Sequence, residues 1–494
     1  MTGRLSALYL LLLAACASPK APPQSADNGT ARIDRVLAGL RPGLAITGEP
    51  VVRWTLAERM KHYNVPGVSI AVIDSGRIVW AKGFGVKEAG STDSVNTETR
   101  FQAGSISKPT FALGVMRLVQ EGKLNLDEDV NAKLTSWKVP DNKFTAKEKV
   151  TLRRILSHNA GLTVHGFPGY EAGTPVPTVP QVLNGEKPAN TAPVRADTFP
   201  GAITRYSGGG TTIAMLLVTD VTKKPFPDFM KETVLGPAGM THSTYEQPLP
   251  AAMAPNTASG HSNKGEVVKG KYHTYPEMSA AGLWTTPSDL ATLAIELQHT
   301  YAGQSDKVVN QATLKQMFTV QASKDSSGFG IGYFINGSGP NLEFAHNGAD
   351  EGFLADFVGF AERGQGAFVM TNGDNGGQLM GEIVAAVAAE YGWPSHLPQQ
   401  KTLIAKDAKA LADLTGGYGL QLGGPKPVPA SVALENGKLF FEAKDGPFSK
   451  DELLADSDTT FFLRESGYPV TFGRDKNGKV IGINVAGVAG KRMK

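Results

Sequence analysis

Residues 101–109 read FQAGSISKP and put a serine, Ser105, three positions before a lysine, Lys108, at the start of an apolar helix pattern. Side chains three positions apart lie on one face of a helix, so the Ser105 hydroxyl and the Lys108 amine can meet. The positive end of the helix favours an oxyanion there, and a desolvated lysine can stay neutral and take the serine proton. The stretch predicts an activated nucleophile, although a Ser-x-x-Lys pair alone is a weak signal.

Two later stretches carry further candidate residues. Tyr206 begins the sequence YSGGG, and a phenol near a lysine can move protons to and from the nucleophile and the leaving group. His346 begins the sequence HNGA, just before the apolar strand predicted at 353–360. A glycine there lets substrate approach the backbone, and a backbone N–H could join that of Ser105 in an oxyanion hole. Alone, each stretch also fits a structural role, as a buried tyrosine before a helix or a histidine in a loop.

Together, in this order and spacing, the three stretches resemble the serine β-lactamase and penicillin-binding-protein superfamily, and within it the branch of class C β-lactamases, D-aminopeptidases and esterases. The resemblance covers about residues 45–390 and extends to RILSHNAGL at 154–162, SAAGL at 279–283 and TPSDL at 286–290. It implies an α/β fold, in which an antiparallel sheet is flanked by helices and a helical subdomain holds Tyr206. The active site is expected between the two parts.

The resemblance also implies roles for single residues. Ser105 would attack the carbonyl carbon, Lys108 would take or relay the serine proton, and Tyr206 would protonate the leaving group. The N–H groups of Ser105 and Ala349 would form the oxyanion hole. Which side chain is the base stays open at this point. The implied substrate contacts are His346, Asn347, Gly348 and Gly208.

Two departures from the family pattern bear on the substrate. Gly208 stands where β-lactamases have an asparagine, and His346 stands where much of the family has the lysine of Lys-Thr-Gly. A histidine is mostly neutral at pH 7, so a permanent charge for a β-lactam carboxylate is missing. We therefore expect a serine hydrolase acting through an acyl-enzyme on an ester, an amide or a D-amino-acid peptide. A genuine β-lactamase or D-Ala-D-Ala carboxypeptidase is the alternative.

Two hypotheses from other functional classes remain open. In one, the chain is a binding or sensing lipoprotein that uses the same pocket without turnover. In the other, the C-terminal domain has the main role, as a surface or peptidoglycan adaptor. The expected partners are a small-molecule or peptide substrate, related to peptidoglycan or to β-lactams, and a membrane reached through a lipid anchor.

The N-terminus has the pattern of an export signal. Arg4 precedes an apolar run from Ala7 to Ala15, which is too short to span a bilayer and fits a signal peptide. The run ends in LAAC at 13–16, which resembles a bacterial lipobox, and Cys16 is the only cysteine. We expect a signal peptide at 1–15, lipidation of Cys16 and a flexible tether at 16–32. The mature protein would face the periplasm, anchored in the outer membrane; a plain secretory signal is the alternative.

Composition and periodicity set the remaining expectations. With 41% hydrophobic and 19% charged residues and a net charge of +3, the 494-residue chain fits a soluble multidomain protein and gives no support to a nucleic-acid partner. We expect a hydrolase domain at 33–393, a linker at 394–410 and an antiparallel β domain at 411–494, lipocalin-like in form. Within these domains the patterns predict a helical stretch at 33–62, strands at 68–73 and 77–82, a helix after Ser105 with one apolar face, and hairpin turns at Asn436-Gly437 and Asn477-Gly478.

No cofactor is expected. The histidines that could ligate a metal are scattered and lack the clustered spacing of a metal site. They are His158, His165, His242 and His261.

Overall fold

The computed structural model describes residues 29–321, 327–422, 426–443 and 448–493. The predicted signal peptide, the predicted lipidation site Cys16 and most of the predicted tether lie outside these residues. Among the described residues, no helix combines the length and the apolarity that a membrane crossing requires.

The first domain contains both strands and helices, whereas the C-terminal domain is built from strands. The strands of the first domain, in chain order, are β1 Leu44–Ile46, β2 Gly67–Asp74, β3 Arg77–Gly85, β4 Phe101–Gln102, β5 Trp284–Thr285, β6 Gly328–Phe329, β7 Phe334–Asn336, β8 Glu343–Asp350, β9 Phe353–Phe360, β10 Gly366–Thr371 and β11 Gln399–Lys401. The helices are α1 Gly29–Leu37, α2 Leu56–His62, α3 Ser107–Gln120, α4 Leu152–Leu156, α5 Val179–Asn184, α6 Gly208–Thr222, α7 Phe226–Met230, α8 Gly236–Ala238, α9 Met278–Ala281, α10 Pro287–Tyr301, α11 Gln311–Met317, α12 Gly376–Tyr391 and α13 Ala408–Leu414.

A seven-stranded antiparallel sheet in the order β3-β2-β10-β9-β8-β7-β6 forms the centre of the first domain. Because side chains alternate between the two faces of a strand, Ile73 and Phe368 belong to the core that contains α10. Ile70 and Val369 belong to the core on the other face, with α1 and α12. Both faces are covered, which explains why β2 and β10 are apolar without alternation. The predicted α/β architecture is confirmed.

Helix α3 lies in the middle of the domain. The sequence predicts one apolar face, but the structure buries α3 on nearly every side from Ser107 to Met116. The reason is its position between the sheet and the helical subdomain α4–α9, whose residues share its core. The Ser107 hydroxyl stabilises the start of the helix by donating to the Gly104 carbonyl at 2.6 Å and accepting the Leu283 N–H at 2.9 Å.

The continuous helical stretch predicted at 33–62 is wrong. Helix α1 begins at Gly29, inside the predicted tether, and ends at Leu37. A short strand, β1, then pairs in parallel with β11 before α2 begins. Pro42 and Pro50 interrupt the helix between these elements, since proline cannot donate the backbone hydrogen bond of a helix interior.

The C-terminal region is a closed eight-stranded antiparallel barrel, as its predicted lipocalin-like form implies. Its strands are β12 Gly416–Leu420, β13 Val428–Glu435, β14 Lys438–Ala443, β15 Phe448–Ala455, β16 Thr460–Leu463, β17 Pro469–Arg474, β18 Val480–Val485 and β19 Val488–Arg492. Strand β12 pairs with β19 and closes the barrel. Buried side chains such as Tyr418, Phe441 and Val470 fill its interior.

The two predicted hairpin turns differ in geometry. Asn436 and Gly437 both have positive φ, at 48° and 80°, as the Asn-Gly signal predicts. In the second turn only Gly478 has a positive φ. This turn is held by the Asp475 carboxylate, which accepts the N–H groups of Asn477 and Lys479.

A buried arginine joins the two domains. Arg59 of α2 donates to both carboxylate oxygens of Glu382 on α12, at 2.8 and 2.6 Å. The same guanidinium also binds Glu465 of the barrel domain and stacks on Trp54 at 3.9 Å. Its side chain is only 6% exposed, so the bridge is desolvated.

Candidate active site

Ser105 and Lys108 are in direct contact. Ser105 lies in a short 3₁₀ turn, Gly104–Ile106, and Lys108 lies in the first turn of α3. The Lys108 Nζ is 2.9 Å from the Ser105 Oγ and donates to the Ala280 carbonyl at 2.7 Å. Burial lowers the pKa of Lys108 to about 7, although the nearby carboxyl of Asp350 opposes this effect. A large part of the amine is therefore unprotonated at neutral pH.

Tyr206 belongs to the helical subdomain, and its ring packs against the Lys108 amine. Its ring centroid is 4.9 Å from the Lys108 Nζ, and the ring of His158 stacks on it at 4.1 Å. Among the described residues, its buried hydroxyl has no partner within hydrogen-bond geometry. Burial raises the pKa of Tyr206, and the neighbouring Ser105 hydroxyl opposes the increase only in part. The phenol is therefore protonated at neutral pH and can donate a proton.

Two glycines bring the start of α3 against β8. Gly104 has φ +49°, and a Cβ on it would lie 2.5 Å from the Ala349 nitrogen. A Cβ on Gly348 would lie 1.9 Å from the Ala103 carbonyl oxygen and 3.0 Å from the Ser105 nitrogen. Strand β7 pairs with β8 only as far as Ala345. From His346 onward, β7 does not cover this edge of β8. The Ser105 and Ala349 amides are thus neighbours, as an oxyanion hole requires.

His346 lies on β8, not in a loop, and is 1% exposed. Its Nδ1 is 2.6 Å from the Asn347 carbonyl oxygen, and its Nε2 has no hydrogen-bond partner in the part of the chain that the structure describes. Burial and the charge of Lys108 lower the pKa of His346 to about 3. Because a carbonyl only accepts, the neutral ring carries its proton on Nδ1, and Nε2 is left as a hydrogen-bond acceptor.

Two further predicted substrate contacts, Asn347 and Gly208, lie on the exposed side of β8 and at the start of α6. Asn347 is exposed on the opposite side of β8 from His346. Gly208 is buried in the first turn of α6, where its N–H donates to the His165 carbonyl at 3.0 Å. A Cβ on Gly208 would meet His165 and the ring of Phe167, so the loop fills the space of a larger side chain.

Sequence reasoning missed several groups that the fold adds to the site. The Ala280 carbonyl belongs to the SAAGL stretch, but its contact with Lys108 depends on tertiary structure. Phe329 packs on His158 at 4.7 Å. The sequence also did not predict the two buried carboxyl groups of Asp350 and Glu277, although Asp350 follows the HNGA stretch directly. Among the described residues, no three or more His, Cys, Asp or Glu side chains are grouped to hold a metal ion.

A protein-family model matches more than half of the chain. The family model described as Beta-lactamase matches residues 52–390. Protein flp of Staphylococcus aureus (strain N315) is 24% identical over 322 residues, which are 63% of this chain and 60% of flp. The match thus spans less than two thirds of this relative's length.

Two solved structures have a similar fold. One is the octameric penicillin-binding protein homologue from Pyrococcus abyssi, with a TM-score of 0.61 and 21% identity, covering 88% of this chain and 98% of that one. The other is the D-alanine carboxypeptidase AmpC from Burkholderia cenocepacia, with a TM-score of 0.53 and 17% identity, covering 68% of this chain and 96% of that one. At these identities the likeness concerns the fold alone.

Proposed function

Because this chain belongs to the Beta-lactamase family, we propose that it is a serine hydrolase that forms an acyl-enzyme on Ser105. The observation that carries the proposal is the 2.9 Å contact between the Ser105 hydroxyl and the Lys108 amine. Burial keeps much of this amine in the neutral form that can accept a proton. A serine is a weak nucleophile unless such a base lies next to it.

In the first step, the Ser105 Oγ attacks the carbonyl carbon while its proton passes to the Lys108 amine. The oxygen of the tetrahedral intermediate takes negative charge, which the N–H groups of Ser105 and Ala349 stabilise. The Tyr206 phenol is the proton donor to the leaving group, because its pKa is raised and it holds its proton. The Lys108 ammonium then returns its proton to the Tyr206 phenolate oxygen, and the acyl group remains on Ser105.

In the second step, water attacks the acyl-enzyme. The neutral Lys108 amine takes the water proton and passes a proton to Ser105 Oγ, which leaves as a hydroxyl. The acid product is released, and the site returns to its starting protonation state.

The charge of the site supports a proposal for the substrate class. Lys108 is partly neutral, and the pKa values of His346, His158 and His165 are all lowered. A substrate carboxylate would find no permanent cation among these groups, whereas the acceptor Nε2 of His346 suits an N–H or O–H donor. These features support an ester, amide or D-amino-acid peptide over a β-lactam.

Acylation should depend on pH through Lys108. The folded pKa lies near 7, well below the 10.5 of a free lysine, and only the neutral amine accepts the serine proton. We therefore expect the rate of Ser105 labelling by a fluorophosphonate to rise with pH and to reach half of its maximum at about pH 7. A midpoint at about pH 5 or below would assign the base to another group.

The proposal is tested by intact-mass analysis after brief exposure to a fluorophosphonate, a penicillin or a p-nitrophenyl ester. The protein is prepared without residues 1–16, beside Ser105→Ala. We expect a phosphonate adduct and ester turnover that both need Ser105. The penicillin sample separates β-lactam turnover, a lasting adduct and no reaction. A lasting acyl adduct from the ester would favour the binding or sensing hypothesis, and no adduct from any reagent would contradict the hydrolase.

We also propose that the mature chain is a lipoprotein anchored through Cys16 on a periplasm-facing membrane. The support is the lipobox-like sequence LAAC at 13–16 in a chain with one cysteine. Growth of a bacterial host with a radiolabelled fatty acid tests this proposal, since Cys16→Ser should lose both the label and the membrane fraction. A labelled Cys16→Ser protein would contradict it.

A further inference from the structure

A row of aromatic rings leads away from the Ser105–Lys108 pair. It begins at Tyr206, whose ring centroid is 4.9 Å from the Lys108 Nζ, and continues through His158, which stacks on Tyr206 at 4.1 Å. Phe329 of β6 follows, with its ring centroid 4.7 Å from that of His158 and 6.2 Å from that of Tyr206. The row therefore extends from the catalytic lysine to the edge strand of the sheet.

The neighbouring strand β7 extends this row. Phe329 and Phe334 are directly opposite each other in the β6–β7 ladder, and their ring centroids are 4.5 Å apart. The ring of Phe334 is also 5.0 Å from that of His346, which in turn lies 6.1 Å from Tyr206. We call the rings of Tyr206, His158, Phe329, Phe334 and His346 the aromatic wall.

The β6–β7 hairpin leaves the outer part of the aromatic wall exposed. Tyr333 and Ile335, on either side of Phe334, are buried in the core, so Phe334 points away from the core and is 36% exposed. The turn of the hairpin is fixed, because the Gly332 N–H donates to the Leu156 carbonyl at 2.9 Å. An exposed aromatic ring near a nucleophile suits a ligand-binding surface, since a ligand that covers it removes apolar area from water.

The aromatic wall is uncharged at neutral pH. Burial lowers the pKa of His158 and of His346, and burial raises the pKa of Tyr206. The two phenylalanine rings have no group that ionises. Such a surface disfavours a charged substituent, whereas an aryl group can make edge-to-face or offset contacts with the rings.

The aromatic wall adjoins the place of the leaving group. In the proposed mechanism Tyr206 protonates the leaving atom, which must therefore lie within hydrogen-bond reach of the Tyr206 hydroxyl. Because the ring of Tyr206 belongs to the wall, a substituent on the leaving atom lies beside these rings.

We propose that the aromatic wall binds an aryl group on the leaving alcohol or amine of the substrate, and that Phe329 and Phe334 determine this specificity. The inference rests on the proposed hydrolase function and names the leaving group of its substrate. In acylation, the Ser105 Oγ replaces the aryl-bearing alcohol or amine, whose leaving atom takes its proton from Tyr206. In deacylation, the aryl group has already left, so the wall acts on the first step alone.

Benzyl acetate and methyl acetate test the proposal. Both esters give the same acetyl-enzyme, so they differ only in acylation. Benzyl alcohol and methanol are similar in acidity, so a difference in kcat/KM reports the binding of the ring. We expect kcat/KM of the unaltered protein to be about 100-fold higher for benzyl acetate, since the ring adds apolar area that becomes buried.

Phe329→Ala and Phe334→Ala should each lower this benzyl-to-methyl ratio by about tenfold, because each removes one ring contact. Phe329→Tyr keeps the ring and should keep the ratio. Methyl phenylacetate and methyl acetate place the ring on the acyl side instead, and their ratio should stay unchanged in both alanine variants. Each ratio compares two esters on one protein, so a smaller fraction of active protein leaves it unaltered.

Phe440→Ala is the matched control. Phe440 lies in β14 of the barrel, where its half-buried ring is 5.0 Å from the Lys450 Nζ. This variant should keep both ratios. If Phe329→Ala does not fold, Phe334→Ala decides the outcome, because it removes an exposed ring.

A benzyl-to-methyl ratio near one in the unaltered protein overturns the inference, as does a ratio that neither alanine variant lowers. A fall confined to the phenylacetate-to-acetate ratio also overturns it, since the wall would then bind the acyl side. If the unaltered protein hydrolyses none of these esters, the hydrolase proposal fails and binding tests the wall separately. The dissociation constant of benzyl acetate for Ser105→Ala, measured by NMR titration, should then rise about tenfold when Phe329→Ala is added, and an equal constant overturns the inference.

Discussion

Replacing Ser105 with alanine should abolish covalent labelling and lower ester turnover by a factor of about 10⁴ or more, as for other nucleophilic serines. The reason is that the acyl-enzyme has no other oxygen on which to form. The fold should be unaffected, because Ser105 is partly exposed and its hydroxyl contacts the Lys108 amine at 2.9 Å, within the site and not within the core. Intact mass and stopped-flow ester hydrolysis measure the two effects.

Ser288→Ala is the control for this variant. Ser288 is also half-buried and lies in α10, where its hydroxyl contacts the Thr97 carbonyl at 3.4 Å, away from Lys108. It should keep both labelling and turnover. Ester hydrolysis that survives in Ser105→Ala at the unaltered rate would place the chemistry elsewhere in the molecule.

Replacing Lys108 with methionine should change activity and stability in opposite directions. Loss of the base should lower the labelling rate by about 10²–10⁴-fold. At neutral pH the free energy of unfolding should rise by about 2 kcal/mol or more, because burial of the amine lowers its pKa and so destabilises the unaltered protein. The loss of stability caused by the buried amine is complete below about pH 7, where Lys108 is protonated in both the folded and the unfolded protein. This loss disappears as pH rises towards 10.5, where the amine becomes neutral in both states.

Urea unfolding at about pH 7 and about pH 10 measures this difference, which should shrink at the higher pH. Lys147→Met provides the control, because Lys147 is exposed and lies outside the site. It should alter neither quantity by a measurable amount. A Lys108→Met protein that is labelled at the unaltered rate, or that is less stable at neutral pH, would contradict the role of the buried amine.

Local spacing predicts one half of the site and tertiary packing determines the other half. Ser105 and Lys108 meet because three positions on a helix face fix their separation, which the sequence alone contains. The approach of β8 depends on Gly104 and Gly348, which bring two distant backbones together. The HNGA stretch contains Gly348, but the sequence does not indicate which backbone this glycine faces.

Burial explains most of the remaining differences. The helix pattern after Ser105 suggests one apolar face, yet α3 is enclosed by two layers, and a single-sequence pattern contains no information on the second layer. Because a single sequence does not show this burial, Asp350 resembles any polar residue that follows a motif. Only the packing of β8 against the start of α3 shows that this carboxyl group is buried beside Lys108.

The bridge formed by Arg59 has a consequence for how the chain can be divided. The guanidinium is shared between Glu382 of the first domain and Glu465 of the barrel domain, so a chain cut after Lys401 would lose one of two anions around a desolvated cation. Truncation would also remove the Glu465 carboxylate that contacts this guanidinium. We therefore expect the first domain and the barrel to unfold as one cooperative unit on heating. A truncated chain that loses activity would then indicate unfolding of α2 and α12, and would not by itself indicate an adaptor role of the barrel.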